Sequence, residues 1–161
     1  MPGKVPADTR VGHIHLKVSD LDRAIAFYGD VLGFSLTQRY GSEAAFLAAG
    51  DYHHHIGLNT WPSKGAGPAP DRAPGLYHSA FVFPDRASLG AALKRVVEAG
   101  IPLDGAADHG VSEAVYLRDP DGNGVELYRD RDSADWPRDA DGHLKMVNSP
   151  LDVHALLAEA A

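Results

Sequence analysis

Two βαβββ modules, paired through a curved mixed sheet and followed by a C-terminal helix, form the α+β architecture that this sequence predicts. Three observations predict it. Residues 12–20 alternate polar and apolar side chains and end on an aspartate suited to cap a helix. Residues 77–85 repeat that pattern, with His13 and His78 set 65 positions apart, as are Asp20 and Asp85. Each strand–helix opening is then followed by three short runs of strand character.

The elements follow in order. After Asp20, Leu21, Ile25, Tyr28 and Leu32 recur at helical spacing, and Gly33 stands where a C-terminal cap belongs. Strands are expected at 34–39, 44–48 and 54–59, completing a first module over 10–61. Residues 62–75, rich in Pro, Gly and Ala, read as a linker too short to separate independent domains. In the second module, 76–130, Leu89, Leu93, Val96 and Val97 mark the helix and Gly100 its end. Strands are expected at 101–103, 114–118 and 124–129, with Asp119-Pro120-Asp121-Gly122 as a tight turn. The tail, 131–161, is turn-rich to Gly142, and Ser149-Pro150 reads as the N-cap and first residue of a short helix over 151–160. Together 1–161 form a single domain.

Composition narrows the function. A formal net charge of −7 argues against nucleic acid, which needs a basic face to release counterions. No apolar run is long enough to span a membrane, and residues 1–10 lack a secretion signal, so a cytoplasmic location is expected. Nine histidines stand beside no cysteine, so any metal must sit on imidazole and oxygen ligands.

Strand alternation sorts those ligands. Ile14, Leu16 and Val18 point toward the helix layer, and His13, His15 and Lys17 point away. His78 opens the equivalent strand, and in the last strand Glu126 and Tyr128 share the histidine side. His13, His78 and Glu126 thereby form a candidate set of two histidines and one carboxylate, the facial triad that suits non-haem Fe(II). In the strand at 54–59 the same parity turns His55 into the cup and His54 toward the helices, with His53 as the alternative to His55. Charged strand ends such as Lys17 and Arg129 either steer an anionic substituent or are simply solvated.

The run from Gly12 to Asp20, with Phe27-Tyr28 and Leu32-Gly33-Phe34, resembles the opening of the vicinal oxygen chelate superfamily, which includes glyoxalase I, bleomycin-resistance proteins and extradiol dioxygenases. Residues 108–128 resemble the extradiol signature, in which a His, a Tyr, an Asp-Pro-x-Gly turn and a ligand Glu follow in order: here His109, Tyr116, Asp119-Pro120-Asp121-Gly122 and Glu126. Ala107 departs from the Gly, Asn or Thr usual there. The run from Tyr52 to Trp61 and the tail from Trp136 are similar to the single-domain catechol 2,3-dioxygenase branch.

The resemblance implies a cup around one metal, held by His13, His78 and Glu126, with Fe(II) as the ion and Mn(II) also suited to the set. It implies His109 and Tyr116 as residues that hold the substrate and take part in catalysis. It implies an acid–base histidine, for which His55 has the expected parity, and His15 and Trp61 fall where they line the substrate pocket. The activity implied is cleavage of a catechol ring beside the diol with O2, by a homo-oligomer, a dimer or higher. Glyoxalase-like isomerisation needs a further acid at the end of the first module, where this chain has His55, Gly57 and Asn59. Fosfomycin-resistance transferases share the ligand types but need a basic cluster for a phosphonate. A metal-free antibiotic-binding protein is the non-enzymatic alternative, and an intact ligand set discriminates against it.

Overall fold

The computed structural model describes residues 3–160. The first module contains β1 (Ile14–Lys17), α1 (Leu21–Ile25), β2 (Ser35–Tyr40), β3 (Ala44–Ala48) and β4 (Ile56–Asn59), and a π-helical turn over Ala26–Val31 extends α1. The second contains β5 (His78–Phe83), α2 (Arg86–Glu98), β6 (Leu103–Asp108), β7 (Ser112–Arg118) and β8 (Gly124–Asp130), and the tail adds β9 (Ser149–Pro150) and α3 (Val153–Ala158). The predicted repeat is thus the real organisation of the chain.

Both helices start as the sequence indicates. Asp20 accepts from the Arg23 amide at 3.0 Å, and Asp85 forms a capping box with Ser88. Gly33 and Gly100 end the helices with φ of +94° and +71°, values that a side chain would oppose.

The strands make two open mixed sheets, one of four strands in the order β1-β4-β3-β2 and one of five in the order β5-β8-β7-β6-β9. In each, the first and last strands of the module run parallel and the others antiparallel. Leu16, Val18, Leu47, Ile56 and Leu58 of the first sheet and Val115, Leu117, Val125 and Leu127 of the second join the helices in one core. The modules are also stitched by polar bonds: the buried Tyr28 hydroxyl donates to Asp119 at 2.8 Å, and Arg95 donates to the carbonyls of Val31 and Leu32. Because both sheets spend their apolar faces on this shared core, the histidine-bearing faces are left open on two separate sheets.

Three element boundaries differ from expectation. The strand placed at 101–103 is β6, Leu103–Asp108, whose Gly-Ala-Ala stretch has little strand propensity and is held by β7 and β9 on either side. Ser149-Pro150 is strand, not helix cap, and Asp152 caps α3 instead by accepting from the Ala155 amide at 3.0 Å. The strand before Asn59 begins at Ile56, so His53, His54 and His55 lie outside it. α3 seats the buried Leu156 on α2 at Gly90, where a Cβ would lie 2.5 Å from the Leu156 carbonyl oxygen.

Candidate metal centre

The second sheet brings its predicted residues together. His78 opens β5 opposite Gly124, and two residues on Ala80 pairs with Glu126, which faces Tyr116 across the β7–β8 ladder. The backbones approach so closely at Gly124 that a Cβ there would run into the Tyr77 carbonyl and stand 3.0 Å from His78 Cβ. The result is His78 Nε2 at 2.8 Å from Glu126 Oε2. Tyr116 lies beside them, its hydroxyl 3.4 Å from Glu126 Oε1 and 2.7 Å from His109 Nε2. Burial, reinforced by the Glu126 charge, pushes the Tyr116 hydroxyl up to about 12, so it stays protonated at neutral pH.

The first sheet carries the other set. His13, just before β1, and His15 within it are both exposed, His15 on the face opposite the core. The His15 ring lies over Gly57, where a Cβ would be 2.8 Å from Nδ1, and its Nε2 is 2.9 Å from the Asn59 amide nitrogen. Trp61 is close to His15, with ring centroids 6.1 Å apart, and Phe46 stands edge-on to it. Burial, then the neighbouring His13, lowers the pKa of His15.

The histidine triplet departs from the parity argument. His54, not His55, lies against His13, with ring centroids 4.6 Å apart and planes tilted by 53°, and packs on Phe46 at 5.0 Å. His55 lies by Tyr52, and its Nδ1 accepts from the Ala49 amide at 3.1 Å. The triplet precedes β4, whose first residue is Ile56, so its side chains are set by local contacts and not by strand alternation. His53 is exposed, with its Nδ1 2.8 Å from that of His54. Partial burial, followed by the charges of the surrounding imidazoles, lowers the pKa of His54.

One chain therefore gathers His78, Glu126, Tyr116 and His109 on one face, and His13, His15, His54 and Trp61 on another. Among the described residues, the group of three or more potential ligands with mutually close donor atoms is Asp139, Asp141 and His143, an exposed turn of the tail. His13 does not join His78 and Glu126 within the chain. The pair itself fits a divalent cation: a carboxylate and an imidazole nitrogen face each other on an open sheet, with neither tied to an arginine or lysine. A third donor has to be brought to them.

Arg129 has a structural task. It donates to Glu113 Oε2 at 2.7 Å, and Arg86 adds a second bond to the same oxygen at 3.1 Å. Nearby, Arg131 grips Asp108 with both guanidinium nitrogens, which holds that carboxyl down at about 2. A folded pKa below the ordinary 3.8 means the contribution is complete above about pH 4 and fades as pH falls toward 2. Asp108→Asn is accordingly expected to lower stability at pH 7, and the gap from wild type should close near pH 2 in acid-unfolding curves.

This arrangement defines a class: two strand–helix–three-strand modules on a common core, with imidazole, carboxylate and phenol on the faces turned from the helices. The chain belongs to the Glyoxalase/Bleomycin resistance protein/Dioxygenase superfamily, whose profile matches residues 10–127. It is 41% identical to the catechol-2,3-dioxygenase of Bacillus subtilis over 154 residues, covering 95% of this chain and 53% of that protein. It is 36% identical to biphenyl-2,3-diol 1,2-dioxygenase 3 of Rhodococcus globerulus over 125 residues, covering 75% and 63% respectively. The chain thus spans between half and two thirds of the length of these curated relatives. Among solved structures it is similar to the lactoylglutathione lyase of Agrobacterium tumefaciens, with a TM-score of 0.59, 27% identity and coverage of 78% of this chain and 96% of that one. Among the described residues no helix is long and apolar enough to cross a membrane.

Proposed function

We propose that the protein is an extradiol dioxygenase of the cytoplasm, cleaving a catechol ring beside its diol with O2, and that it acts as a homo-oligomer. The observation that carries this reading is the His78–Glu126 pair, with Tyr116 and His109 aligned behind it in the order of the extradiol signature. The two dioxygenases named above support the substrate class, an aromatic vicinal diol.

The metal reading assigns three ligands, His13, His78 and Glu126. His13 is on the open face of a different sheet from the other two, so the reading takes it from a second copy of the chain. A two-fold arrangement that sets the open face of one first module against the partner's second module completes two equivalent sites at once. Fe(II), or Mn(II) on the same donors, would supply Lewis acidity toward both diol oxygens and an open position for O2.

The rest of the chemistry falls to the side chains. Tyr116, protonated and half-buried, offers a hydrogen bond at the edge of the pair. His109 takes or returns a proton through Tyr116. Trp61, Phe46 and His15 offer flat apolar and imidazole surface for a planar ring. His54, beside His13 and biased toward the neutral form, is the better placed acid–base histidine, and His55 points elsewhere.

The test is anaerobic reconstitution with Fe(II) or Mn(II), followed by O2 and a panel of catechols. A yellow ring-fission product from at least one catechol is the expected result. Metal retention without any ring fission would shift the reading to another chemistry of the superfamily, and no metal retention would remove it.

A further inference from the structure

The tail crosses the outer end of the second sheet between two fixed points. Lys145 N–H donates to the Pro137 carbonyl at 2.8 Å, and Ser149–Pro150 pairs with β6 as β9. Between them Val147 meets His109 twice. The Val147 N–H donates to the His109 carbonyl at 3.0 Å, and the Val147 carbonyl oxygen lies 3.0 Å from His109 Nδ1. A carbonyl oxygen only accepts, so Nδ1 carries the proton. Neutral His109 then has its lone pair on Nε2, 2.7 Å from the Tyr116 oxygen, and the single phenolic proton is donated to it. Glu126 Oε1, at 3.4 Å, is the weaker competitor for that proton.

We infer that Val147 is a positioning residue whose backbone carbonyl locks His109 in the Nδ1–H tautomer, so that Nε2 stands as the proton acceptor for Tyr116 beside the His78–Glu126 pair. The inference deepens the catechol reading and, for its effect on turnover, rests on it. Neutral His109 then has both ring nitrogens partnered, Nδ1–H by the Val147 carbonyl and Nε2 by the Tyr116 hydroxyl. In the other tautomer, Nε2–H would point at the Tyr116 oxygen and turn the phenolic proton toward Glu126. Which ring nitrogen is protonated is set by what the other one meets, and here that partner is the tail.

The packing leaves the tail little latitude. A Cβ on Gly110 would lie 2.6 Å from Pro137 Cγ and 3.2 Å from Val147 Cγ2, and Gly110 has a φ of +75°. Its absence lets the strap sit directly on the residue after His109.

Long-range imidazole 15N–1H spectra of the full chain without added metal, with the His109 signals assigned by their loss in His109→Gln, test the inference. The expected wild-type state is the Nδ1–H tautomer. Val147→Ala, which keeps both backbone groups, should retain that tautomer. Val147→Pro, which removes the anchoring N–H, should mix the tautomers and lower kcat roughly 10- to 100-fold, with KM changed by less than about threefold. Gly110→Ala, which pushes the strap outward, should act in the same direction. An Nε2–H tautomer in the wild type overturns the inference without recourse to any variant. So does a folded Val147→Pro or Gly110→Ala protein that keeps the Nδ1–H tautomer. If the wild type opens no catechol ring, the functional reading falls, and the tautomer still decides the clamp.

Discussion

Glu126→Ala is expected to retain no metal and to lose about 1,000-fold in turnover, the several kcal/mol of barrier that a bound cation supplies. His13→Ala should do the same, although the two residues lie on different sheets. Mixing the two inactive proteins after partial denaturation and slow refolding distinguishes a shared site from a self-contained one. If His13 comes from the partner copy, random reassociation gives half mixed dimers, each with one intact and one doubly damaged site, and about a quarter of wild-type activity and metal content returns. No recovery, together with metal bound one to one by a monomer in sedimentation, would place His13 beside its own chain's Glu126 after a rearrangement of the modules. Circular dichroism should show both variants folded, since neither side chain belongs to the core.

Much of this was legible in the sequence because β-strand parity is rigid where a strand is real. His15, His78 and Glu126 lie on the faces that alternation assigns them, since the apolar residues between them must reach the core. The histidine triplet failed for the converse reason. Nothing in Tyr52-His53-His54-His55 marks where the strand starts, and one residue of error exchanges His54 for His55. Strand β6, expected at 101–103, runs from Leu103 to Asp108 because Asp104-Gly105-Ala106-Ala107 pairs through its backbone, and its place is dictated by neighbours remote in sequence. The part of Val147 was illegible in principle, because any residue offers the same carbonyl. The meeting of first and second modules was also beyond reach, because strand parity fixes faces but says nothing of which face meets which.

A second glutamate shows how burial separates structure from chemistry. Glu113→Ala is expected to cost about 3 kcal/mol, lowering the melting temperature by roughly 6–12 °C. Glu113 is one strand away from Glu126, yet it is on the opposite face, only 5% exposed. Its Oε2 receives both Arg86 from α2 and Arg129 from β8, and its Oε1 lies 3.5 Å from Arg131. Removing it leaves three guanidinium groups crowded together with their shared counter-charge gone, and each is only about a quarter exposed, so water compensates in part. Glu113→Gln should fall between wild type and alanine, because it keeps acceptor capacity and loses the charge. Glu126→Ala, in contrast, releases the His78 contact and the longer Tyr116 one, with no arginine or lysine left unpaired, and should cost no more than about 1 kcal/mol in the metal-free protein. Thermal melts of the three variants, set beside their metal content, give opposite orders: Glu113→Ala unstable but able to hold metal below its melting temperature, Glu126→Ala stable and empty. The same order in both measurements would mean that the Glu126 carboxylate serves the fold and not an ion.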